Sequence, residues 1–182
     1  MIKQVPNILT IFRVLASIVV PLLIFFGGEG WRLAALIIFA AASVSDWLDG
    51  MIARQLDAIS TLGRMLDPIA DKLLIAGCLI ALMGHDGFGS LLFIPGLMIL
   101  LREVFVSGLR EFMAGKLVLH VTLMAKFKTT AQLIAIGLAV AIPVVPANWP
   151  MTEVTATAFW IAAIMTVWTG WDYFIKALQH DG

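Results

Sequence analysis

An all-α integral membrane protein with six transmembrane helices is the fold class this sequence predicts, and three features predict it. Of the 182 residues, 61% are hydrophobic and only 13% charged, with a mean hydropathy of +0.99. A soluble domain keeps about a quarter of its residues charged, and a small domain leaves too much surface wet for a large core to explain the shortfall. The apolar residues fall in runs of the ~20 residues that a helix needs to cross hydrocarbon. The basic residues also gather on one side of those runs.

Six runs stand out, at 8–27, 32–54, 64–84, 90–113, 127–146 and 151–176. The first follows Lys3 and could pass for a secretory signal. Arg13 interrupts it, however, and no small-residue cleavage site follows, so it reads as a retained helix. It ends at Gly27-Gly28-Glu29-Gly30, a turn sequence. The second run opens after Trp31 and closes in an acidic stretch, and the third opens in a matching one and stops at Gly84-His85-Asp86-Gly87. The fourth carries Arg102, Glu103 and Arg110 within apolar surroundings. The fifth begins at Lys126-Phe127-Lys128 and ends at Pro146-Ala147-Asn148-Trp149-Pro150, and the sixth runs to Lys176. With short connections and no linker or repeat, residues 1–182 read as a single membrane domain.

Basic residues set orientation by favouring the cytoplasm. If six helices alternate, Lys3, Arg54, Arg64, Arg110, Lys116, Lys126, Lys128 and Lys176 share one side and Arg32 stands on the other. Both termini are therefore expected in the cytoplasm, with Trp31 and Trp149 at the outer boundary, where amphipathic rings settle. The zero net charge gives no reason to expect a nucleic-acid partner. The single Cys78 excludes an internal disulfide framework and reads as apolar filler. Membrane lipids are the expected surroundings, and short loops without a transit peptide suggest a bacterial plasma membrane.

The acidic stretches carry the chemistry. On a helix, residues three and four apart share a face. Asp46, Asp49, Gly50 and Ala53 therefore form one stripe at the cytoplasmic end of the second helix, and Gly63, Asp67 and Asp71 form another at the start of the third. The short connection makes these helices antiparallel neighbours, so four carboxylates are expected to converge beside small residues that let a ligand approach. Four such charges in a low-dielectric site repel one another unless a cation joins them. Hard, oxygen-preferring cations, Mg²⁺ or Mn²⁺, fit this donor set, and two ions suit the handling of a pyrophosphate.

The pattern Asp46-x-x-Asp49-Gly50-x-x-Ala53-Arg54, then eight residues, then Gly63-x-x-x-Asp67-x-x-x-Asp71 resembles the full signature of the CDP-alcohol phosphotransferase family. The resemblance implies a six-helix membrane fold, a homodimer, and an active site at the cytoplasmic side. It implies transfer of a substituted phosphoryl group from a CDP-linked donor to an alcohol, releasing CMP. By the same resemblance, Asp46, Asp49, Asp67 and Asp71 bind metal and Asp71 also acts as the base for the acceptor hydroxyl. Gly50, Ala53, Arg54 and Gly63 would line the cytidine nucleotide.

Two further stretches bear on the acceptor. Arg102-Glu103, followed by Ser107-Gly108-Leu109-Arg110-Glu111, places Glu103, Ser107 and Arg110 on one helix face, and Lys126-Phe127-Lys128-Thr129-Thr130-Ala131-Gln132 crowds cations and hydroxyls at a boundary. Arg102 and Arg110 lie within an apolar helix, where an ionised side chain is a functional marker. These segments, with Pro6-Asn7-Ile8-Leu9-Thr10-Ile11-Phe12-Arg13, resemble the bacterial branch of the family whose donor is CDP-diacylglycerol and whose acceptor is sn-glycerol 3-phosphate, giving phosphatidylglycerophosphate. That resemblance makes Arg110, Lys126, Lys128 and Arg102 candidates for the acceptor phosphate, and Asn7, Thr10 and Arg13 candidates for the donor's head group. Within the family, synthases of phosphatidylinositol phosphate, phosphatidylserine or cardiolipin are the alternatives. A cation transporter is the alternative from another class. Transport sites sit near the bilayer midplane among repeated or broken helices, whereas these acids gather at one boundary.

Overall fold

The computed structural model describes residues 5–56, 61–85, 90–113 and 123–180; within them, the side chains at 5–7, 29, 46–56, 61–64, 85, 90–91, 123, 125–126 and 180 stand outside the description. Among the described residues the chain is all-helical: α1 (Val5–Phe26), α2 (Glu29–Leu56), α3 (Thr61–His85), α4 (Ser90–Phe112), α5 (Leu123–Ala141) and α6 (Met151–His180). These are the six expected elements, with one visible shift. α5 gives way at Ile142–Val144 to a single 3-10 turn, because Pro143 has no N–H to continue the helical ladder.

Among the described residues, four helical spans are long and apolar enough to cross a membrane: Ile8–Phe26, Leu92–Phe112, Phe127–Val144 and Met151–Gln179. The apolar part of α2, Gly30–Ser45, is shorter. In α3, Arg64, Asp67, Asp71 and Lys72 occupy the first half of the helix. The chain is thus a multi-pass membrane protein whose second and third helices mix apolar length with charge.

The described chain forms two compact units. One comprises 1–87 with 136–149, and the other 88–135 with 150–182, so α5 contributes to both. In the first unit, α1 packs on α3 and α2. α1 and α2 are antiparallel neighbours because only Gly27 and Gly28 separate them. The buried stripe of α1 is Thr10, Arg13, Ala16, Ser17, Val20 and Ile24, at helical spacing, while Ile11, Leu15, Ile18, Leu22 and Phe26 face outward. A helix that buries its polar residues and turns many of its large apolar residues outward is built for lipid, where burial of apolar groups no longer drives association.

Close backbone approach supplies the packing in its place. A Cβ added at Gly77 of α3 would stand 2.7 Å from Pro21 Cγ of α1, so only glycine lets these helices meet there. Gly77→Val is expected to lower stability by about 1–3 kcal/mol through overpacking, read as a fall in the unfolding midpoint in detergent. An unchanged midpoint would mean that α1 and α3 can separate at no cost.

In the second unit, α4 packs on α6. Leu92, Ile99 and Val106 of α4 and Ala156, Phe159, Ala162, Ala163 and Tyr173 of α6 are among its buried apolar side chains. At Gly170 the backbone of α6 leaves room for a polar guest, since a Cβ there would lie 2.9 Å from Arg102 Cγ. Of the residues assigned to the outer side, Trp31 and Trp149 are exposed, and Arg32 is buried in the first unit.

Candidate functional site

The helices carry the acidic motif in the expected order. Asp46, Asp49, Gly50, Ala53 and Arg54 lie in the last turns of α2, and Gly63, Asp67 and Asp71 in the first turns of α3. The side chains of Asp46, Asp49, Ala53 and Arg54, like that of Asn7 and the surroundings of Gly50 and Gly63, lie outside the described residues.

Asp67 and Asp71 are described, and both are tied to α1. Thr10 Oγ1 donates to Asp67 Oδ1 at 2.8 Å. Arg13 Nη1 donates to Asp71 Oδ1 at 3.3 Å and stands 3.9 Å from Asp67 Oδ1. The Arg13 side chain is 1% exposed, whereas the two carboxylates are 42% and 37% exposed. The physical logic is reciprocal. A guanidinium buried in a membrane helix needs an anion, and a carboxylate that accepts from it is held in one orientation. Spacing of three on α1 meets spacing of four on α3, so one helix face serves the other. Thr10 and Arg13, expected at the donor's head group, therefore also anchor Asp67 and Asp71.

These carboxylates fit a hard divalent cation. The donors are anionic oxygens, they remain partly open, and their orientation is fixed from α1. Among the described residues they are not joined by a third ligand-type side chain; the remaining two expected ligands are Asp46 and Asp49.

The second unit holds a buried polar cluster. Glu103 Oε1 accepts from Arg102 Nη1 at 3.3 Å, from Gln132 Nε2 at 3.1 Å and from Lys128 Nζ. Gln132 Nε2 also donates to Thr166 Oγ1 at 2.9 Å, and Arg102 Nη2 donates to Thr169 Oγ1 at 3.0 Å. Arg110 Nη2 donates to the Tyr173 hydroxyl at 3.0 Å. α4, α5 and α6 are thereby joined through one carboxylate and three cations, Arg102, Lys128 and Arg110. Arg102 and Lys128 are buried, and Arg110 is exposed. The side chain of Lys126, the fourth acceptor candidate, lies outside the described residues.

The structure thus brings Arg102, Arg110 and Lys128 together around partners to which sequence reasoning gave no role, namely Gln132, Thr166, Thr169 and Tyr173. A faint signal for the last three exists. Thr166, Thr169, Gly170 and Tyr173 recur at intervals of three and four on α6, which makes a polar stripe with one glycine gap in an otherwise apolar helix.

Comparison with known proteins finds relatives along nearly the whole chain. Residues 3–168 match the family model described as CDP-alcohol phosphatidyltransferase. A Cereibacter sphaeroides protein is 37% identical over 97% of this chain and 96% of its own length. A Rickettsia typhi protein is 38% identical over 94% of this chain and 96% of its own. One from Bacillus subtilis is 38% identical over 80% of this chain and 74% of its own. All three relatives bear the name CDP-diacylglycerol–glycerol-3-phosphate 3-phosphatidyltransferase.

Proposed function

The chain belongs to the CDP-alcohol phosphatidyltransferase family, and from that premise we propose that it transfers the phosphatidyl group of CDP-diacylglycerol to sn-glycerol 3-phosphate. The observation that carries the proposal is the shared name of relatives that cover nearly the whole of this chain at 37% and 38% identity. The aspartate motif and the basic cluster supply the chemistry. The family model crosses both compact units, which supports reading the chain as one domain.

In the proposed reaction the acceptor's hydroxyl oxygen bonds to the phosphorus that carries the diacylglycerol. The bond from that phosphorus to the bridging oxygen breaks, and CMP leaves with the electron pair. Asp71 takes the hydroxyl proton. Arg13 and Thr10 hold Asp71 and Asp67 in place. Gly50, Ala53, Arg54 and Gly63 line the cytidine nucleotide, with Asn7, Thr10 and Arg13 toward the donor's head group. Arg110, Lys126, Lys128 and Arg102 neutralise the acceptor phosphate, for which arginine offers a forked, two-bond grip. Asp46, Asp49, Asp67 and Asp71 would hold two Mg²⁺ or Mn²⁺ ions, which when bound offset the charge of the pyrophosphate.

The reading extends to topology. Six membrane passes with both termini and the catalytic residues on the cytoplasmic side follow from the one-sided basic residues; the exposed Trp31 and Trp149 support a boundary position. Bacterial relatives support a bacterial plasma membrane, and the family resemblance supports a homodimer.

The test is CMP release by the purified chain in detergent with CDP-diacylglycerol, Mg²⁺ and a panel of alcohols. Release is expected with sn-glycerol 3-phosphate alone and is expected to stop on chelation. Release driven by inositol phosphate or serine instead would move the chain to another branch, and release that survives chelation would remove the metal from the reaction.

A further inference from the structure

Tyr173 is the single tyrosine of the chain, and it is buried on α6 with only 3% of its surface exposed. Its hydroxyl accepts from Arg110 Nη2 at 3.0 Å, and its ring centroid lies 5.0 Å from Arg110 Cζ. One side chain thus restrains the guanidinium in two ways, by a hydrogen bond at one nitrogen and by attraction to the ring face. An arginine near the end of a membrane helix would otherwise swing toward the interface, with side-chain rotamer entropy to lose on binding.

The same ring stands 5.9 Å from Arg102 Cζ. Arg102 differs from Arg110 in being already occupied, by Glu103 and Thr169, and Lys128 is likewise turned to Glu103. Among these described cations Arg110 is the exposed one. Among the described residues this cluster therefore sets Arg102, Lys128 and Arg110 against the carboxylate of Glu103, and its surplus positive charge reaches solvent at Arg110. A phosphate monoester dianion matches that surplus, and a guanidinium fixed at one nitrogen keeps its other donors for the phosphate oxygens.

We infer that Tyr173 is a positioning residue for the acceptor: it presets the Arg110 guanidinium for the phosphate of sn-glycerol 3-phosphate. The inference rests on the acceptor reading given above and adds a residue that binds nothing itself. Its effect is preorganisation, so it belongs in the acceptor KM and is absent from donor binding.

The experiment measures CMP release by the full chain in detergent for Tyr173→Phe, which keeps the ring and removes the hydroxyl, for Arg110→Ala, and for the double variant. Loss of one hydrogen bond to a charged group is expected to raise the acceptor KM about tenfold in Tyr173→Phe, with kcat and donor KM nearly unmoved. Arg110→Ala is expected to raise it further, and adding Tyr173→Phe to Arg110→Ala is expected to change nothing more. An unmoved acceptor KM in Tyr173→Phe, or an effect that multiplies with that of Arg110→Ala, overturns the inference and leaves the phosphate reading standing. A fall in kcat with both KM values altered alike assigns Tyr173 a merely structural role and overturns it too. An unmoved acceptor KM in Arg110→Ala brings down the phosphate reading and the inference together. If Tyr173→Phe does not fold, the unmutated sequence decides. With 3-fluorotyrosine in place of its only tyrosine it gives one ¹⁹F resonance, expected to shift on addition of sn-glycerol 3-phosphate; a resonance that stays put at saturating acceptor overturns the inference.

Discussion

Asp71→Asn is expected to lower turnover by about 10²–10⁴-fold, the range that a positioned general base contributes, while CDP-diacylglycerol still binds. The substitution keeps the shape of the side chain and keeps an oxygen that can accept the Arg13 hydrogen bond, now 3.3 Å long. It removes the ability to take a proton. The buried Arg13 does not lose all its compensation, because Asp67 Oδ1 stands 3.9 Å from the same nitrogen and Thr10 holds Asp67 from α1. Fold and donor binding should therefore persist, and turnover should not. The measurement pairs single-turnover CMP release with equilibrium donor binding and an unfolding curve in detergent. Undiminished turnover would take the base role away from Asp71. A collapse of stability alongside turnover would make the Arg13–Asp71 pair chiefly a structural one.

Glu103→Ala is expected to destabilise the protein by about 3–5 kcal/mol, the usual cost of removing one partner from a buried ion pair. Glu103 Oε1 is the common acceptor for Arg102, Lys128 and Gln132. The Arg102, Lys128 and Glu103 side chains are only 9%, 7% and 14% exposed. Without the carboxylate, two cations on α4 and α5 face each other with little solvent to screen them, and the Gln132 link from α4 toward Thr166 is cut. Glu103→Leu combined with Lys128→Met should cost less than Glu103→Leu alone, because the double change removes the stranded charge with its partner. Unfolding midpoints in detergent of the two single variants and the double variant check this. A double variant as unstable as the sum of its parts would show that Glu103 acts through Arg102 or Gln132 and not through Lys128.

What the sequence by itself determined is the local part of the molecule. Helix periodicity and hydropathy are properties of neighbouring residues, so all six helices were legible within a few residues of their ends. α5 is the exception in its limits: it starts earlier than expected and yields at Pro143 to a 3-10 turn. The aspartate motif was legible for the same reason, since spacings of three and four assign residues to one helix face without reference to anything beyond that helix. Arg102, Arg110 and Lys128 were conspicuous because ionised groups in apolar helices are expensive and rarely idle.

Only the tertiary structure decided which of these groups meet. Nothing local distinguishes Thr10 and Arg13 as anchors of Asp67 and Asp71, because those contacts span 57 and 58 residues. Tyr173 looks like one more aromatic in α6 until the packing of α4 on α6 sets Arg110 against it, 63 residues away in the chain. Gly77 and Gly170 became meaningful in the same way, one beside Pro21 and the other beneath Arg102. The physical reason is that each helix is specified by its own hydrogen bonds, whereas its rotation about its axis and its choice of neighbour depend on side chains distant in sequence.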